Sequence, residues 1–105
     1  MNIVSVCACT VGIAHTYIAA EKLEQAAKKQ GHSIQIETQG TIGSENELSE
    51  ESINNADIVI LAVDVKISNK ERFDGKKIVE IRTDLAIKSP NKLIEKIEEI
   101  AASKS

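Results

Sequence analysis

The chain has 105 residues, 42% of them apolar and 28% charged, the balance of one soluble globular domain around a single hydrophobic core, which excludes a multi-domain architecture and a disordered chain. Thirteen Lys and Arg against sixteen Asp and Glu give a formal charge of −3, with one Tyr, one Phe and no Trp. Neither a basic surface for a phosphate backbone nor aromatic platforms for bases are available, so nucleic acid is excluded as a partner. No window of about eighteen apolar residues exists to span a bilayer, and the N-terminus lacks a basic start and cleavage site, so no direct membrane insertion and a cytoplasmic location are expected.

The opening run Asn2-Ile3-Val4-Ser5-Val6-Cys7 is rich in β-branched residues and predicts a strand buried on both faces. From Ala14 the sequence turns to helix formers, with Ile18, Leu23 and Ala26 on one side, and Gly31 stands where a helix C′ residue is expected. Ser33 to Thr38 alternates polar and apolar, which predicts a second strand near a sheet edge with one face less buried, and His32 before it is expected to face solvent. Thr41 to Asn46 reads as a loop, and Ser49-Glu50-Glu51 as an N-cap and acidic first turn of a short helix ending near Asn55.

Residues Asp57 to Val63 form the longest apolar run and predict a central parallel strand; Lys77 to Ile81 predicts a fourth strand. Ser89-Pro90 suits the N-cap and first position of a last helix, Asn91 to about Ala102, with Leu93, Ile94, Ile97 and Ile100 as its buried stripe. This order predicts an α/β fold over residues 1–105 as one domain: an open four-stranded parallel sheet flanked by helices, a Rossmann-like three-layer sandwich.

In such sheets ligands bind beyond the carboxyl ends of the strands, where strand order reverses, so the first strand's exit loop, Cys7 to Thr16, is the place for chemistry. A Cys7–Cys9 disulfide would close a ring too small for ordinary geometry, and two thiols without further ligands make no zinc site, so no metal and no cofactor are expected. Cys7 belongs to the strand and reads as core. Cys9, just before a helix start, sits where the helix dipole and unpaired N–H groups favour a thiolate and could cradle a phosphate, with Gly12 permitting close approach. His15 could add a hydrogen bond or a charge. On these grounds alone Cys9 reads either as a nucleophile or as a small buried hydrophobe, and His15 either as a phosphate ligand or as a helix-end cap.

Ala8-Cys9, Gly12-Ile13-Ala14-His15-Thr16-Tyr17 and Ala19-Ala20-Glu21 resemble the active-site segment of the fructose-type enzyme IIB component of the bacterial sugar phosphotransferase system, A-C-P-T-G-I-A-H-T-(F/Y)-x-A-A-E. Glu37-Thr38-Gln39-Gly40, Gly43 and Glu45-Asn46-Glu47-Leu48 are similar to its second signature. Ala56-Asp57 through Asp64, Arg72-Phe73 and Gly75-Lys76 follow in order.

The resemblance implies a phosphoryl carrier: Cys9 as catalytic nucleophile attacks the phosphohistidine of enzyme IIA, and the phosphocysteine passes its group to fructose or a related sugar held by the membrane enzyme IIC. Thr10, Val11, Gly12, Ile13, Ala14, His15 and Thr16 then form the phosphate-binding segment. Thr10 and Val11 replace the family's Pro and Thr, which removes the ring that stiffens the loop but leaves a backbone cradle possible.

Two rival classes remain. A small cysteine phosphatase carries an Arg where this chain has His15, and Asp64 is its candidate general acid; a redox or regulatory domain would use Cys7 and Cys9 without phosphoryl transfer. Met1 and the small polar tail favour a separate subunit.

Overall fold

The computed structural model describes residues 2–8, 13–40, 43–45, 47–67 and 70–102. Its elements in chain order are β1 (Asn2–Ala8), α1 (Ile13–Lys29), β2 (Ser33–Gly40), β3 (Gly43–Glu45), α2 (Glu50–Asn54), β4 (Ile58–Val63), a 3-10 helix (Lys70–Phe73), β5 (Ile78–Ile81), α3 (Thr83–Lys88) and α4 (Pro90–Ala102).

Four strands run parallel, as the sequence predicts; their order is β2-β1-β4-β5, and the three-residue β3 adds an antiparallel edge beside β2. β3 falls within the stretch read as loop; its residues join the sheet by pairing Thr38 with Glu45 and Gly40 with Gly43. From β1 the chain moves one way across the sheet through α1, and from β2 it moves back past β1 through α2, so the two connections lie on opposite faces. That division follows from keeping each parallel crossover right-handed.

Strand alternation builds two cores. Ile3, Cys7, Ile58, Ile60 and Ala62 face Ala19, Leu23 and Ala27 of α1, with Ala86 of α3 and Leu93, Ile94 and Ile97 of α4. Val4, Val6, Val59 and Leu61 face Leu48, Ile53 and Phe73 on the other side. Cys7 is thus a fully buried core residue, and Leu93, Ile94 and Ile97 form the buried stripe predicted for the last helix, with Ile100 packed against it.

Local chemistry sets the element ends. At the end of α1 Gly31 adopts φ +82; its N–H donates to Lys28 O at 3.0 Å and that of His32 to Ala27 O at 3.0 Å. This is the paired closure of a Schellman motif, which needs the left-handed conformation that glycine adopts without a Cβ penalty. Ser49 caps α2, its hydroxyl accepting from Ser52 N at 3.1 Å. The Lys76 ammonium donates to Asn54 O and Ala56 O at the end of α2, and that of Lys77 to Ile100 O and Ala101 O in the last turn of α4. Both cations neutralise the negative ends of helix dipoles.

Three local expectations change. His32 does not face solvent: its side chain is 11% exposed and its Nε2 lies 2.8 Å from Glu98 Oε2, tying the α1–β2 turn to α4. The chain between β5 and α4 is helical, as α3, where no element was expected. Glu37, on the polar face of β2, is among the most buried residues of the molecule.

Candidate functional site at the carboxyl edge of the sheet

β1 lies between β2 and β4, and the chain leaves it toward β2 while β4 is reached later from the other side, so the exit of β1 is the point where strand order reverses. Such a crevice is where open α/β sheets hold ligands. At this level Ala8 pairs with Gln39 of β2 and with Val63 of β4, and the Asp64 N–H donates to Ala8 O at 2.9 Å.

The chain resumes in α1 at Ile13. Cys9, Thr10, Val11 and Gly12, the predicted nucleophile and the first part of its cradle, lie outside the described residues. Ile13, Ala14 and His15 form the first turn of α1, with their side chains outside what is described, and Thr16 follows, 4% exposed. The first turn of α1 contains no acidic side chain, whereas Lys28 and Lys29 occupy its last turn. The positive end of a 17-residue helix therefore opens at the β1 exit with no carboxylate of its own first turn beside it. Tyr17 and Ile18, just beyond that turn, are exposed.

Around this opening the rim is held by two carboxylates, Glu37 of the second resemblance block and Asp64, weighed above as a phosphatase's general acid. Glu37 is 1% exposed. Arg72 Nη1 donates to its Oε1 at 2.8 Å and Nη2 to its Oε2 at 2.7 Å, a bidentate pair. Gln39 Nε2 donates to Oε2 at 2.8 Å and the Leu48 N–H to Oε1 at 3.0 Å. Burial alone would raise the carboxyl's pKa, but the hydrogen bonds from Arg72, Gln39 and Leu48 and the Arg72 charge outweigh it and hold Glu37 below its ordinary value of 4.5. Arg72 also lies over the Phe73 ring, 4.7 Å from its centroid.

The second carboxylate is Asp64, at the end of β4. Its Oδ1 accepts from Thr83 N at 3.0 Å and its Oδ2 from Thr83 Oγ1 at 2.6 Å. Arg82 occupies the N-cap position of α3 without a side-chain cap of its own, so Asp64 caps that helix from another strand. Both oxygens are thereby engaged, which disfavours the general-acid role that a phosphatase would require of this residue. Beside the opening, Thr38 is 6% exposed, and its Oγ1 has no hydrogen-bond partner among the described residues; the same holds for Arg72 Nε.

The sequence could have pointed to Glu37 through one signal only, the Glu37-Thr38-Gln39-Gly40 block; its partners stand 11 and 35 residues away. Among the described residues no group of three or more His, Cys, Asp or Glu could hold a metal ion, and no helix is long and apolar enough to cross a membrane.

Comparison with known proteins agrees with this architecture. The family model described as "PTS system, Lactose/Cellobiose specific IIB subunit" matches residues 4–96. The "PTS system fructose-like EIIB component 2" of Escherichia coli K12 is 50% identical over 97 residues, covering 92% of each chain. The "PTS system fructose-specific EIIB'BC component" of Vibrio cholerae is 46% identical over 87 residues, which are 83% of this chain but 15% of that protein. Among solved structures, a domain from the fructose-specific IIABC component of Borrelia burgdorferi superposes with a TM-score of 0.85 at 55% identity, covering 90% of this chain and 89% of that one. A parallel sheet of this order, a family match over most of the chain and relatives at half identity place the chain in the IIB family of the sugar phosphotransferase system, among its fructose-like EIIB components.

Proposed function

We propose that residues 1–105 act as one phosphoryl-carrying EIIB domain, in which the Cys9 thiolate attacks the phosphorus of a phosphohistidine on enzyme IIA. An S–P bond forms as the N–P bond breaks, and the imidazole leaves with the electron pair. In the second transfer a sugar hydroxyl held by membrane enzyme IIC attacks the same phosphorus: an O–P bond forms as the S–P bond breaks, the Cys9 thiolate leaves with the electron pair, and the hydroxyl proton passes to water. The chain is in this reading a phosphotransferase of the cytoplasm that meets the membrane through enzyme IIC, with fructose or a related sugar as final acceptor.

The observation that carries the reading is the acid-free start of α1 at Ile13, the next described residue after the β1 exit, with Cys9 in the sequence between them, in a chain of this family. Phosphoryl transfer asks for alignment and charge stabilisation, and an acid-free helix start supplies the second. Thr10 to Thr16 are the residues assigned to the phosphate, through backbone N–H groups and the His15 side chain. A relative whose name joins B and C components supports enzyme IIC as the acceptor's host.

Intact-mass spectrometry after incubation with phosphorylated enzyme IIA tests the proposal. One phosphoryl group retained on the chain is the expected result. Stoichiometric release of inorganic phosphate would favour a phosphatase, and an unmodified chain would overturn the carrier role.

A further inference from the structure

At one level of the sheet, on the α2 side, Val6 of β1 is flanked by Glu37 of β2 and Leu61 of β4. Val6 and Leu61 are fully buried aliphatics; Glu37 is as buried and carries a charge. Replacing such a buried pair by apolar side chains of similar volume is often neutral or stabilising, so the Glu37–Arg72 pair is a poor device for stability alone. It is a demanding device for geometry, because two parallel N–H···O bonds fix direction as well as distance.

What it fixes is specific. The Glu37 donors come from three separate stretches: Gln39 at the end of β2, Leu48 leading into α2, and Arg72 in the 3-10 helix that follows β4. Gln39 is paired in register with Ala8, the residue that precedes Cys9. One carboxylate thus holds together three segments around the β1 exit.

We infer that Glu37 and Arg72 are positioning residues for phosphoryl transfer, holding the β2 exit, the entry to α2 and the 3-10 helix as the rim on which enzyme IIA seats. The inference rests on the carrier role proposed above. One N–H of each guanidinium Nη goes to Glu37, so that edge of Arg72 holds the rim and is not offered to phosphate as a fork.

The test compares wild type with Glu37→Gln/Arg72→Met and with Arg72→Lys in steady-state transfer from phosphorylated enzyme IIA. The double variant removes both charges but keeps an oxygen acceptor for the Leu48 N–H. The expected result is a KM for enzyme IIA raised about tenfold with kcat within about twofold, in a protein whose unfolding midpoint is unchanged or higher. Arg72→Lys, which keeps the charge and loses the fork, falls between wild type and the double variant. An unchanged KM in the folded double variant overturns the positioning role, as does a fall in kcat at constant KM. Should the double variant fail to fold, Arg72→Lys decides by the same criterion. A wild-type chain that accepts no phosphoryl group overturns the carrier role itself and the inference with it.

Discussion

Asp64 separates a structural carboxylate from a chemical one. Its side chain is 15% exposed, and both oxygens are occupied by Thr83, which is itself 1% exposed. Asp64→Ala removes the acceptor and leaves a buried N–H and a buried hydroxyl to find others, a loss of about 2–3 kcal/mol on the scale of hydrogen bonds to charged groups. The nearby Arg82 lies 3.9 Å away with its side chain 78% exposed, so it adds little. For a domain of this size the loss corresponds to a fall in Tm of roughly 10–20 °C.

Asp64→Asn keeps one oxygen for the Thr83 N–H, and its amide can donate to the hydroxyl once that group turns. Its expected loss is about 1 kcal/mol, or roughly 4–8 °C. Calorimetry supplies the stabilities, and a transfer assay with phosphorylated enzyme IIA supplies the activities. With Asp64 acting as the cap of α3, Asp64→Asn transfers at near wild-type rate below its Tm. A collapse of transfer in that variant with Tm in the stated range would show that Asp64 takes part in the chemistry. No fall in Tm for Asp64→Ala would refute the capping argument.

Cys7→Ala, which empties a fully buried core position, should lower stability by about 1 kcal/mol and keep phosphoryl acceptance, whereas Cys9→Ser should abolish acceptance; equal loss in two folded variants would contradict the assignment. Because the folded carboxyl of Glu37 titrates below 4.5, its contribution is fully present above that pH and is lost as pH falls through the folded value. Urea unfolding across that range should therefore show wild type losing its advantage over Glu37→Gln on acidification, and parallel curves would count against the ion pair. Cys9 should alkylate with a midpoint below the free-thiol value of about 8.5, and a midpoint at or above it would remove the case for thiolate activation at the start of α1.

The parts of the fold legible in the sequence are those whose causes are local. The apolar runs before Cys7 and from Ile58 to Val63 became β1 and β4, Gly31 closed α1, Ser49 capped α2, and Ser89-Pro90 opened α4. Most of what escaped had distant causes. α3 lacks a side-chain cap in its own sequence and takes one from Asp64, 19 residues earlier. Glu37 reads as a solvent-facing strand residue until Arg72 is folded onto it, and His32 as exposed until Glu98 arrives from α4. β3 escaped for a local reason: three residues are too few to show a period, and they are recognised as a strand only by their pairing with β2. For the site, the β1 exit as the point where strand order reverses was legible from the order of elements, while Cys9 itself lies outside the described residues. The long-range hydrogen bonds by which Glu37 and Asp64 brace the rim are visible only in three dimensions.

In the proposed carrier the phosphoryl group rides on the Cys9 sulfur. Fragmentation mass spectrometry of the peptide spanning Cys7 to His15, taken from the chain after phosphorylation by enzyme IIA, tests it most directly because both thiols and the histidine lie in one fragment series. The predicted result is the modification on Cys9 alone, and a group found on Cys7 or on His15 would contradict it.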